Sequence, residues 1–170
     1  LDISDSKISK MDLSANKKLK VLRYRNTKVS KMLSVPNPSA IEELDCSETK
    51  ISSLDLRKYT ALKHLNASQT KITSLNVQNC RELVTVYVRG TTKLSKLDLS
   101  NQTKLRDVIF GDSGIKELDV RNSLLICDQD DLGSGFDFMP GFKISCKIIV
   151  NKNWKELNYY QNQAKECGFN

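Results

Sequence analysis

A right-handed, mostly β solenoid with a parallel concave sheet is the fold class this sequence predicts, and two observations predict it. One short stretch is written six times, as "DSKISKMDL", "NTKVSKMLS", "ETKISSLDL", "QTKITSLNV", "TTKLSKLDL" and "DSGIKELDV". The copies start at residues 5, 26, 48, 69, 91 and 112, so the period is 21 or 22. A short fixed period marks units that bury their apolar faces by stacking on one another. The second observation is an alternation inside each unit. Leu22 and Tyr24, Leu44 and Cys46, Leu65 and Ala67, Val86 and Val88, and Val108 and Phe110 are each two residues apart. In an extended segment such pairs point to one side and their neighbours to the other.

One unit, "LKHLNASQTKITSLNVQNCRE", can then be justified in order. Its first half supplies the concave strand. Its second half, with Ile72, Leu75 and Val77 inward, returns along the back in extended form, because 21 or 22 residues leave no room for a helix. One rung is irregular. "SVPNPSAI" puts prolines and an extra residue into a back turn, which predicts a convex bulge because proline cannot donate to a ladder. "LDIS" at 1–4 occupies the slot of "LDCS" at 44–47, so the array is entered in mid-repeat and its N-terminal cap is expected upstream. These readings give five or six rungs over 1–127 and a C-terminal cap over 128–170.

The cap is read from "FKISCKIIV", which alternates as a strand does, and from "NWKELNYYQNQAKECG". In the latter Asn153 is an N-cap with Glu156 three residues on, and Gly168 is a C′ residue. Leu157, Tyr160, Ala164 and Cys167 form a stripe at helical spacing. A strand and helix there would cover the last rung's edge. Cys127, Cys146 and Cys167 cluster in this cap, as a disulfide of a secreted chain would, with the connectivity open. Cys46 and Cys80 are expected to be free.

The first half of the unit, L-x-x-L-x-A-x-x-T-x-I, is close to the leucine-rich repeat signature. The alternation of "LDCSETKISSLDL" with "KYTALKHLNASQTKITSLNV" resembles the short leucine-rich repeats of bacterial surface proteins of the internalin J type. In those, cysteine often holds the inward slot occupied here by Cys46. The chain also resembles the secreted repeat proteins of Bacteroidetes, whose arrays end in Cys-Asp and Asn-Trp segments. Cys127-Asp128, Asn153-Trp154 and Cys167 match those segments. This resemblance implies a Cys127–Cys167 disulfide and a secreted or cell-surface, non-catalytic binding module for a protein or glycan. It departs at "LGSGFDFMPGFKISCKIIV", read as an insertion.

Composition bounds the functional classes. The chain has 170 residues, 39% hydrophobic, 28% charged and a formal charge of +7. No apolar run is long enough to span a bilayer. His64 is the sole histidine and has no nucleophile at a motif spacing, so no enzyme and no cofactor are predicted. "DQDDLGSGFD" opens like a calcium loop but lacks the later ligands, so no metal is predicted. The positive charge is concentrated in one column, Lys7, Lys28, Lys50, Lys71 and Lys93, along one edge. It is read first as a solubilising edge and second as a polyanion stripe. No aromatic side chains interleave with it, so no nucleic acid is expected.

Ahead of those lysines stand Ser6, Thr27, Thr49, Thr70 and Thr92, read as turn-bonding hydroxyls. Asp12, Asp55, Asn76, Asp98 and Asp119 form a back column, read as acceptors of turn N–H groups. What varies between rungs is the outward face of the concave strands: Arg23, Arg25, Glu43, Asp45, His64, Asn66, Thr85, Tyr87, Arg89, Asp107 and Ile109. A variable face on a constant frame predicts a ligand-binding surface, with Tyr87 and Arg89 at its centre. The alternative is a spacer that displays some other domain, its face idle. A monomer is expected.

Overall fold

The computed structural model describes residues 1–122 and 147–149. Its strands are β1 (Val21–Arg23), β2 (Glu43–Asp45), β3 (Ser53–Asp55), β4 (His64–Asn66), β5 (Ser74–Asn76), β6 (Thr85–Tyr87), β7 (Lys96–Asp98), β8 (Asp107–Ile109), β9 (Glu117–Asp119) and β10 (Lys147–Ile149). The order β1-β2-β4-β6-β8 makes a five-stranded parallel front sheet. A bridge between Asp2 and Arg23 adds the rung before it. The result is a β solenoid of about five turns.

The front register follows from the inward residues. Leu22, Leu44, Leu65, Val86 and Val108 pair in sequence and all are buried. The second inward column, Tyr24, Cys46, Ala67, Val88 and Phe110, is buried behind it. Apolar stacking therefore fixes which way each strand faces, since a slip of one residue would turn every aliphatic side chain to water. The back half of each rung adds Val29, Ile51, Ile72 and Leu94, then Leu33, Leu54 and Leu97, to the same core.

Each front strand ends in one left-handed residue: Asp5, Asn26, Glu48, Gln69, Gly90 and Asp112. A hydroxyl follows and ties the turn. Ser6 Oγ donates to the Ile3 carbonyl, Thr27 Oγ1 to Tyr24, Thr49 Oγ1 to Cys46 and Thr70 Oγ1 to Ala67, at 2.7 or 2.8 Å. On the fifth rung the work falls to Thr91, donating to Val88 at 2.6 Å, and Thr92 is exposed. Thr92 is therefore not the turn hydroxyl that its place in the repeat spelling predicts. The left-handed residue at Gly90, not the 91 of the repeat spelling, marks the turn, and Thr92 is the extra residue of that rung.

That extra residue breaks the back of the solenoid. β3 pairs with β5, and β7 with β9 and β10, but no ladder joins β5 to β7. Cross-rung bonds from Lys28 to Ile8, Lys50 to Val29 and Lys71 to Ile51 have no counterpart at Lys93, and resume as Gly114 N–H to the Thr91 carbonyl. One added residue offsets the strand that follows it, as a bulge does.

The back column behaves as predicted. Asp12, Asp55, Asn76, Asp98 and Asp119 each accept the N–H two residues on, at 2.8–3.2 Å. Pro38 of "SVPNPSAI" opens a 3₁₀ turn, Pro38–Ala40, shortly before β2. β10 pairs with β9 in register, Ile148 beside Leu118, so the back sheet receives its next strand from well beyond one period. The helix expected over 153–168 and the stretch "DQDDLGSGFD" lie outside the described residues. So do Cys127, Cys146 and Cys167, with the disulfide expected among them.

Cys46 and Cys80 are free and buried. Cys46 Sγ lies 3.5 Å from the Asn66 carbonyl, and Cys80 Sγ 3.1 Å from that of Leu56. Burial pushes both thiols up to about 12. A thiolate is the reactive form, so both are expected to resist alkylation in the native protein and to react once it is unfolded. Mass spectrometry after iodoacetamide treatment checks this, and native labelling of Cys46 would refute the inward assignment. Cys46→Val is expected to cost under about 1.5 kcal/mol, as a swap between small apolar groups.

Candidate functional site

The front sheet presents two outward columns. Val21, Glu43, His64, Thr85 and Asp107 form one, and Arg23, Asp45, Asn66, Tyr87 and Ile109 the other. Arg25 and Arg89 follow one step along their rungs. All eleven residues expected on this face stand on the outward side, half-buried or exposed. Val21, Glu48 and Asp112 join them unanticipated. In the repeat spelling Glu48 and Asp112 are only first letters, yet each is the left-handed residue that ends a strand.

The two ends of the face differ. Toward the N-terminal rungs the charges are already satisfied. Arg23 grips Glu43 with two bonds, Nε to Oε1 at 2.6 Å and Nη2 to Oε2 at 2.9 Å. Arg25 Nε meets Glu48 at 2.8 Å, and Asn26 donates to Asp5 at 2.8 Å. A two-point pair of this kind fixes both side chains in orientation. The middle is spent on the strand ends: Asp45 takes the N–H and hydroxyl of Ser47, and Asn66 takes the N–H of Ser68. His64 Nδ1 lies 3.1 Å from the Thr85 hydroxyl.

Toward the C-terminal rungs the face opens. Tyr87 and Ile109 are register partners, giving an aromatic and an aliphatic side chain side by side, both half-buried. Burial, with the Asp107 carboxylate, pushes the Tyr87 phenol upward, so it stays a neutral donor at physiological pH. Arg89 reaches Asp112 only at 3.4 Å through each of two nitrogens, a looser hold than that on Arg23. Tyr87, Arg89, Asp107 and Ile109 thus combine apolar area, a phenol and a loosely held guanidinium. Aromatic and arginine side chains of this kind carry most interface energy where they occur together.

On the edge that leaves the front sheet, Lys7, Lys28, Lys50, Lys71 and Lys93 are all exposed. The first four occupy equivalent positions, one residue after the turn hydroxyl. Lys93 does not: Thr92 holds that slot on its rung, so the fifth member of the expected stripe is displaced by one. Among the described residues no group of acidic, histidine or cysteine side chains is placed to hold a metal ion. No helix among them is long and apolar enough to cross a membrane.

Stacked short rungs, an aliphatic inner column and a parallel front sheet define a leucine-rich repeat solenoid. Among solved structures it is similar to a domain of InlJ from Listeria monocytogenes, described as a functional domain that includes a cysteine ladder. The TM-score is 0.60 at 22% identity, over 88% of this chain and 34% of that one, so this chain spans about a third of its length. No protein-family model matches the chain, and no curated protein matches it. Among the described residues this chain builds no such ladder, since the neighbours of Cys46 in its column are Tyr24 and Ala67.

Proposed function

We propose that the chain is a non-catalytic binding module of a secreted or cell-surface bacterial protein, taking a protein or glycan on its concave face. In this reading residues 1–127 are the repeat array and 128–170 its C-terminal cap. The observation that carries it is the column Arg23, Asp45, Asn66, Tyr87 and Ile109, which changes chemistry at every rung over an inward column that stays aliphatic. Core packing demands only the inward column. The outward one is free to be a recognition surface, as concave solenoid faces are. The likeness to a functional domain of InlJ supports the same reading.

The centre of the site is placed at Tyr87, Arg89 and Ile109, because a partner there covers apolar area and takes Arg89 from a weak hold. At Arg23 it would first have to break a two-point pair. Pull-down and glycan-array binding should therefore fall about tenfold or more in a Tyr87→Ala, Arg89→Ala protein, in the range of two interface anchors. An Arg23→Ala, Arg25→Ala protein should lose less. Equal losses, or binding that survives both changes, would move the site off this end of the face. A wild-type protein that captures nothing on either assay would favour the spacer reading.

A further inference from the structure

The two edges of the front sheet treat charge in opposite ways. The chain enters each front strand through Lys20, Glu42, Lys63, Val84 and Arg106, successive residues joined by backbone bonds from rung to rung. Over the first three the signs alternate. Glu42 sits between Lys20 at 2.9 Å and Lys63 at 2.7 Å, whose hydrogen bonds hold its carboxyl down to about 2. On neighbouring positions Lys104 meets Glu82 at 2.7 Å.

The chain leaves each front strand through Lys7, Lys28, Lys50 and Lys71, and the last three donate their N–H groups to Ile8, Val29 and Ile51, the residues that follow the preceding lysines. Here like stands on like. Among the described residues none of these four lysines makes an ion pair or a side-chain hydrogen bond. Lys10 and Lys31, three residues further along the first two of those rungs, are exposed and equally unpaired. The column ends abruptly: Thr92 displaces Lys93, and Gly114 stands in the next slot.

We infer that this edge is a second binding surface, independent of the concave face, and that its ligand is a linear acidic polysaccharide. A column of ammonium groups at parallel-strand spacing, about 4.8 Å, presents one cation per step along a straight line. A chain of uronic acids carries one carboxylate per sugar along an extended backbone, so its charge density is close to one per rung, and flexible side chains can reach carboxylates on either side of it. Phosphates of a nucleic-acid duplex wind around its axis, about one per 3.4 Å of axis on each strand, so a straight column does not follow them, and single-stranded binders add stacking aromatics that this edge lacks. Each lysine brings its own flexible ammonium donors, which suits carboxylates at slightly varying heights.

The test uses the whole chain and polygalacturonate as probe, with neutral pullulan and single-stranded polyuridylate as comparisons. Binding is followed by fluorescence anisotropy or calorimetry across a salt series. A Lys28→Gln, Lys50→Gln, Lys71→Gln protein is set against a Lys20→Gln, Lys63→Gln, Lys104→Gln protein, which loses the same formal charge from the counter-charged edge. The first should bind polygalacturonate at least tenfold more weakly, with a flatter dependence on salt, as fewer counterions are released. The second should stay within about threefold of wild type. The first should also melt no lower than wild type, since it removes only repulsion, and the Tyr87→Ala, Arg89→Ala protein should bind the polymer normally. Equal losses in the two triple variants would reduce the effect to net charge and overturn the proposal. So would wild-type binding to polygalacturonate no tighter than to pullulan, or a column-dependent preference for polyuridylate, which would make the edge a nucleic-acid surface.

Discussion

Leu65→Ala is expected to lower the stability of the array by about 2–5 kcal/mol, the cost of removing a fully buried leucine from a core that relaxes only in part. Leu65 lies at the centre of β4, the middle strand of the front sheet, and is 1% exposed. It touches no ligand surface and makes no polar contact, so the whole effect is packing. Its register partners are Leu44 on one side and Val86 on the other. A solenoid is held by contacts between adjacent rungs, so a void at Leu65 weakens two interfaces at once. The inward neighbour two residues on is Ala67, too small to fill the space. Urea unfolding followed by circular dichroism should show a lower midpoint with an unchanged slope. A loss below about 1 kcal/mol would mean that the rungs collapse onto the void, and the rigid frame assumed for the concave face would fail with it.

Much of this architecture could be read from residues alone, for a reason peculiar to repeats. Period-two alternation gives the inward direction of one strand, and five or more copies vote on it together. Leu22 and Tyr24 could be placed with the same confidence as Leu65 and Ala67. The aspartate column of the back turns was legible for the same reason, because Asp-x-Ser or Asp-x-Arg at a strand end has a local use for its carboxylate. Partnerships between rungs were not legible. Arg23 and Glu43 stand 20 residues apart, and only the stacking register makes them neighbours. Asp45 and Asn66 were read as ligand contacts, yet each spends an oxygen on its own turn. The repeat spelling misplaces the last lysine by one residue, since "TTK" shares its "TK" with "QTK". Only the left-handed backbone of Gly90 shows that the turn has already begun one residue earlier.

That misread rung carries the second large prediction. Gly114→Ala is expected to destabilise the array by about 1–3 kcal/mol, the range for forcing an extra group into a closed space. Gly114 does not have the left-handed backbone of Gly90, so its need for glycine is steric. A Cβ on Gly114 would lie 2.2 Å from the Thr92 carbonyl oxygen and 2.8 Å from its carbon. Both are backbone atoms that no rotamer change can move aside. The obstacle exists because Thr92 is the extra residue of its rung and pushes its carbonyl into the slot that a lysine side chain leaves on earlier rungs. The two positions must therefore be coupled. Deleting Thr92 leaves "GTKLSK", the same length and register as "QTKITS", and should restore the missing ladder between β5 and β7. In that background Gly114→Ala should cost less than about 0.5 kcal/mol, the ordinary range for a surface substitution that meets no obstacle. The four proteins form a double-mutant cycle, whose coupling energy is read from urea midpoints. If Gly114→Ala costs the same with and without Thr92, the carbonyl is not the obstacle, and the bulge would not explain why the lysine column stops at Lys71.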